Sequence, residues 1–357
     1  MTSTTGVLEP TETGFVTRGG VRIRYAVHGA GSTTVLLMPT WTVVHSRIWK
    51  AQIGYLARHF RVVTFDGRGN GGSDRPAGAA AYRDEEYAAD ALAVLDATDT
   101  DCAVVVGLSW GVTWALHLAA GHPQRVGAII GIAASSNLEV PREGRDAVNW
   151  EGPPTTTEGW SKFNRQYWLQ GGYDDFIDFF FDQMFAEPHS TKQVEDAVGW
   201  AHETSAQVVA DASAGMHGYD GIHSTPIEQA CARMGCPVLL VHGTDDRISP
   251  PTVAARLVEL TGGSLVLLEG AGHGVLARHP VKVNHLIRDF IERLAPPSMT
   301  RPTLQRAGRR RRRALYLSSP IGLGHARRDL AVADQLRKLH PDLEISWLTQ
   351  HPVTAVL

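Results

Sequence analysis

Cysteine is scarce: Cys102, Cys231 and Cys236 are the three in 357 residues. An odd number without metal-ligand or redox spacing excludes a disulfide framework and a structural zinc site, and no metal is expected. Cys102 opens an apolar strand pattern and reads as a small core residue. No apolar run approaches the ~20 residues that span a bilayer, so no membrane span is expected. The opening MTSTTGVLEP lacks the basic and apolar regions of a secretory signal, which makes a reducing cytoplasm the expected location. Charge of one sign is also missing, with a net −3 at pH 7. Seven arginines and no acid occupy residues 301–313 (RPTLQRAGRRRRR), and without them the net charge falls from −3 to −10. An acidic body with a short basic stretch does not describe a nucleic-acid binder, and no nucleic acid is expected as a partner. The stretch reads as a solvated linker held open by its own repulsion.

What is present is globular. Hydrophobic residues make up 43% and charged residues 20%, enough to bury a sizeable core, and the length permits two domains. From Gly14 to Leu294, short β-branched runs alternate with helical periodicity, the pattern of a mostly parallel sheet flanked by helices. The runs Val21–His28, Thr34–Met38, Val62–Phe65, Ala103–Gly107, Val126–Ile132, Pro237–His242 and Ser264–Leu268 predict strands, several apolar throughout, as strands covered on both faces are. Helices are predicted over Ile48–His59, Asp84–Thr98, Trp110–Ala120, Pro251–Leu260 and Val281–Leu294. Between about Ser135 and Thr225 no strand pattern occurs, yet twelve aromatics fall between Trp150 and Trp200. Long structureless loops are rare, so residues 135–225 read as a helical insertion, a cap. Ala295-Pro296-Pro297-Ser298 marks a domain boundary.

Chemistry concentrates at three places. Val104–Gly107, Leu108, Ser109, Trp110 and Gly111 run from a strand pattern through G-x-S-x-G into a helix pattern. A serine on a sharp strand-to-helix turn exposes its Oγ, and flanking glycines let neighbouring backbones approach. The helix start behind it adds free N–H groups that favour developing negative charge. A turn serine that merely caps a helix is the competing reading. A serine nucleophile needs a base, and the base an orienting acid. His242-Gly-Thr-Asp245-Asp246-Arg-Ile-Ser-Pro250 follows a strand pattern and places carboxylates at its carboxyl end, where open α/β sheets gather their functional groups. Glu269-Gly-Ala-Gly-His273-Gly places a histidine in a small-residue loop after the last strand pattern.

With these motifs in hand, residues 14–294 resemble the α/β-hydrolase family over nearly their whole length. The resemblance implies a mostly parallel eight-stranded sheet with a helical cap. It also implies a triad of Ser109, Asp246 and His273, the aligned acid being Asp246 rather than Asp245. Asp66-Gly-Arg68-Gly-Asn-Gly-Gly-Ser73 matches the family's loop after the fourth strand, with Asp66 and Arg68 read as structural. Family members usually carry His-Gly after the third strand, where this chain has Met38-Pro39-Thr40-Trp41. Pro39 has no N–H, so the aligned oxyanion donors are the backbone N–H groups of Thr40 and Trp110. Trp41 is a candidate pocket wall, with plain packing the alternative. Haloalkane dehalogenases and epoxide hydrolases of this fold use an aspartate at the elbow; Ser109 points instead to acyl transfer.

The expected domains are therefore the hydrolase at 14–297, an arginine-rich linker at 298–313, and a βαβ unit at 314–357 that reads as truncated. Leu315 to Leu330, with Gly322-Leu-Gly324-His325, resembles the opening of a GT-B glycosyltransferase, and no activity is assigned to it. The expected function is hydrolysis of a small-molecule carboxylic ester or related acyl bond without a cofactor. The alternatives are a non-catalytic ligand sensor regulating a fused glycosyltransferase, or an accessory module of a protein that is mainly a transferase. The oligomeric state is not legible.

Overall fold

Eight strands make one sheet in the computed structural model, which describes residues 8–144, 148–154, 156–294, 313–317, 323–341 and 344–348. They are β1 (Glu12–Arg18), β2 (Val21–His28), β3 (Thr34–Leu37), β4 (Arg61–Phe65), β5 (Ala103–Leu108), β6 (Val126–Ile132), β7 (Val238–Gly243) and β8 (Ser264–Leu268), in the order β1-β2-β4-β3-β5-β6-β7-β8. The first two pairings, β1 with β2 and β2 with β4, are antiparallel, and the rest are parallel. Strands β3, β5 and β7 are buried at every position, which explains their unbroken apolar runs.

The structure adds β1 to the expected strands. Its residues are exposed or half-buried, and Phe15 is 53% exposed, so this edge strand carries no apolar run. The visible signal was the turn: Gly19 and Gly20, at φ 55° and 81°, join β1 to β2 as a hairpin glycine pair does. A second difference concerns Cys102. Strand β5 starts at Ala103, as the run predicts, and Cys102 just before it is exposed rather than in the core.

Helices α1 (Lys50–Leu56), α2 (Asp84–Ala97) and α3 (Trp110–Gly121) and the helices Pro251–Thr261 and Pro280–Leu294 cover the sheet. The predicted helix over Ile48–His59 divides into a tight 3₁₀ turn at Ser46–Trp49 and α1. Asp66 and Arg68 hold loops: Asp66 accepts from Ser46 and from the Gly72 N–H, and Arg68 makes a two-pronged ion pair with buried Asp90 at 2.7 Å.

Between β6 and β7 the described residues form no strand. Helices Tyr173–Met184, Thr191–Ala201 and Ala206–His217 and shorter turns fill the interval. Trp168, Phe176 and Phe181 are its fully buried centre, with ring centroids 4.6 Å apart for Trp168 and Phe176. The other unit of the chain starts at Ala295. In it, parallel strands Arg313–Leu317 and Glu344–Leu348 are joined through helix Leu323–Leu339. Most of the expected linker, and residues Ile321 and Gly322 of the glycine loop, lie outside the described residues.

Candidate active site

Ser109 sits where β5 becomes α3, at φ 54° and ψ −120°. A positive φ is strained for a residue with a Cβ and persists only where neighbours hold it. Here the Ser109 N–H donates to the Ile132 carbonyl at 2.9 Å, and the Ser109 carbonyl accepts from the Ser135 N–H at 3.1 Å. The end of β6 thus clamps the turn on both sides. The two glycines are steric necessities. A Cβ on Gly107 would lie 2.5 Å from the Gly111 carbonyl oxygen, and one on Gly111 would run into the Pro39 carbonyl oxygen. The second contact seats the elbow directly against the loop that follows β3.

Asp246 follows β7 and is buried, whereas Asp245 is exposed. One oxygen, Oδ1, accepts backbone N–H bonds from Ile248 (2.8 Å) and Ser249 (2.9 Å). The other, Oδ2, faces His273 Nδ1 at 2.7 Å and His242 Nε2 at 3.0 Å. Burial alone would raise this carboxyl, but His273, with His242 beside it, outweighs that and holds it well below the usual carboxylate range. The acid is therefore ionised and its orientation fixed by four N–H groups. The loop carrying His273 packs as tightly, since a Cβ on Gly243 would strike the Ala271 carbonyl. With Nδ1 bound to Asp246, the imidazole has Nε2 left for other work.

Ser109 and His273 line one cavity of about 310 Å³, together with Thr40, Trp41 and Trp110. Its size falls at the lower end of small-molecule sites. The Ser109 hydroxyl donates to Ser135 Oγ at 3.2 Å, and among the described residues no hydrogen bond joins it to His273. Such bonds often tighten only around a substrate. The backbone N–H groups of Thr40 and Trp110 likewise have no hydrogen-bond partner among the described residues. The Trp110 ring is pinned from behind: its Nε1 and that of Trp114 both donate to Asp84 Oδ1, at 2.8 and 2.9 Å. Burial pushes the Asp84 carboxyl up to about 7, against the lowering effect of those two donors. His117 Nε2 stands 3.9 Å from the other Asp84 oxygen.

The remaining walls come mainly from the helical segment between β6 and β7. Phe163, Phe180, Phe181 and Met184 face the cavity, and Trp41 meets Phe180 edge-on at 5.1 Å. Trp160 and Trp168 do not line it. Sequence reasoning missed three polar neighbours: His242 on the acid, Ser135 on the nucleophile, and Arg142 in the wall. Each acts through a tertiary contact that no local motif encodes, although a histidine at the buried end of β7 was a usable hint. Among the described residues no group of acidic, histidine and cysteine side chains could hold a metal, and no helix is long and apolar enough to cross a membrane.

The alpha/beta hydrolase fold model matches residues 27–280, and the chain belongs to that family. It is 25% identical over 291 residues to 2-hydroxy-6-oxo-6-(2'-aminophenyl)hexa-2,4-dienoic acid hydrolase of Metapseudomonas resinovorans, covering 79% of this chain and 91% of that protein. It is 24% identical over 307 residues to epoxide hydrolase 1 of Caenorhabditis elegans, covering 80% and 72%. Among solved structures, the enol-lactonase from Burkholderia xenovorans LB400 superposes with a TM-score of 0.64 at 19% identity, covering 78% of this chain and all of the other, a likeness of fold.

Proposed function

We propose that the chain is a serine hydrolase that cleaves a carboxylic ester, or a related acyl bond, of a small molecule through an acyl-enzyme. The observation that carries this reading is the meeting of Ser109 and the His273–Asp246 pair at one cavity. In the first step Ser109 Oγ attacks the carbonyl carbon while His273 Nε2 takes its proton. Asp246 stabilises the imidazolium that forms and keeps the ring in its working tautomer. The N–H groups of Thr40 and Trp110 donate to the oxyanion. His273 then returns the proton to the leaving alcohol, and water repeats the sequence to free the acid. No cofactor enters these steps.

The named relatives differ in the bond they act on, and the elbow residue is the reason to favour acyl chemistry: Ser109 stands where epoxide hydrolases of this fold have an aspartate. Residues 135–225 act as the cap that shapes the substrate pocket. The βαβ unit after the arginine-rich stretch, which resembles the start of a GT-B glycosyltransferase, has no part in the reaction.

Ser109→Ala tests this reading against a non-catalytic sensor. Hydrolysis of p-nitrophenyl acetate should fall by at least about 10³-fold. A rate near that of the parent chain would remove Ser109 from the mechanism.

A further inference from the structure

Among the described residues, the cavity wall contains one arginine and neither lysine nor carboxylate. Arg142 is half-buried there, and one Nη donates to the Ser136 carbonyl. Among the described residues that carbonyl is its sole hydrogen-bond partner, and no salt bridge reaches it. A guanidinium has five N–H donors, so most of its capacity is unspent. Its setting is largely apolar: Leu138, Val148, Phe163 and Met216 line the same space. Burial pulls its pKa down, against the opposing effect of Tyr219 and Asp246. A cation withdrawn from water without a counter-charge is costly, and an anion that enters the cavity removes the cost.

Its place relative to the nucleophile narrows the ligand. Ser136, which anchors the guanidinium, follows Ser135, whose hydroxyl receives the Ser109 hydrogen bond. An anion held by Arg142 therefore belongs to the same small molecule that presents its carbonyl to Ser109. The planar fork of a guanidinium matches the two oxygens of a carboxylate. Trp41 and Phe180 line the same cavity and offer apolar walls for a short spacer.

We propose that Arg142 anchors a free carboxylate on the substrate, so that the enzyme prefers half-esters of small dicarboxylic acids, or equivalent acyl compounds, over neutral esters. This rests on Ser109 being the nucleophile of the same cavity. The test uses the full chain with monomethyl succinate, glutarate and adipate, each beside its dimethyl ester, following methanol release. For the best spacer length the half-ester should exceed its diester in kcat/KM by about tenfold or more, the scale of a charge-assisted pair. In Arg142→Met that ratio should fall to near unity. Arg142→Lys, which keeps the charge but loses the fork, should lie between. A second arm measures binding without turnover: Ser109→Ala protein, titrated calorimetrically, should bind the half-ester more tightly than the diester, and adding Arg142→Met should abolish the difference. Equal kcat/KM and equal binding for both ester types at all three lengths would overturn the proposal. If no ester is turned over, the hydrolase reading fails, and the calorimetric arm alone decides the anion site.

Discussion

At the carboxyl edge of the sheet, position is set by hard contacts and main-chain hydrogen bonds. Gly107, Gly111 and Gly243 leave no room for a Cβ, Ser109 is strapped to β6 through both its backbone groups, and Asp246 is held by four N–H groups. The helical segment between β6 and β7 faces the same cavity but holds its side chains by aromatic packing, with Trp168 meeting Trp150, Phe163 and Phe176 at ring-centroid distances of 4.6–5.2 Å. Steric exclusion and hydrogen bonds tolerate errors of tenths of an ångström, whereas packed rings can trade places at modest cost. The first region therefore suits bond-making, and the second suits the choice of substrate.

That contrast is open to attack from either side, beginning with the acid. Asp246→Asn spoils the histidine's tautomer and should lower kcat on the order of 10²–10⁴-fold. Asp245→Asn, at an exposed position one residue away, should change kcat far less. Steady-state kinetics of the two variants would reverse in rank if the loop after β7 worked in another register.

On the aromatic side, two substitutions should separate packing from lining. Trp168→Ala removes the fully buried ring at the centre of the segment and its hydrogen bond to the Lys162 carbonyl, and should cost about 3–5 kcal/mol, read as a lower melting temperature. Phe180→Ala, at the cavity wall, should reorder a panel of ester substrates with a smaller thermal loss. A uniform drop across the panel for Phe180→Ala would assign this ring to structure alone.

The last test concerns Asp84, which belongs to the rigid region yet titrates. Its carboxyl rises from 3.8 to about 7 on folding, so between those values the folded protein keeps a proton that the unfolded chain loses. Stability from this group is thus lost as pH climbs through that window and is level above it. An Asp84→Asn variant can still accept from Trp110 and Trp114 but has no such titration. Its melting temperature should gain on that of the parent as pH rises from 4 to 7, by denaturation scans in matched buffers. A constant offset across that range would mean that Asp84 is ionised throughout.

Much of this was legible in the sequence, and the exceptions share a cause. Strands β3, β5 and β7 announce themselves as apolar runs because the sheet is covered on both faces there. Strand β1 does not, because its side chains meet solvent and only the Gly19-Gly20 turn betrays it. Ser109, Asp246 and His273 each follow a strand pattern within a short motif, since loop sterics demand small residues at fixed spacing. His242, Ser135 and Arg142 reach the site across the fold, and apart from the polar His242 at the end of an apolar strand, nothing in their local sequence distinguishes them from structural residues. Trp160 and Trp168, in the aromatic stretch read as a cap, do not line the cavity. Cys102 misleads through its place at a boundary, since it stands just before the strand and is exposed.

The central claim is that Ser109 is the group that attacks. Incubation with diisopropyl fluorophosphate followed by intact-mass and peptide mass spectrometry tests it directly, because phosphorylation of a serine nucleophile needs the same activated hydroxyl and oxyanion donors as acyl transfer. The parent chain should gain a single diisopropylphosphoryl group on the peptide containing Ser109, lose esterase activity in step with labelling, and gain none in Ser109→Ala. An unlabelled Ser109 in a chain that still hydrolyses esters, or inactivation that tracks a label elsewhere, would contradict the account.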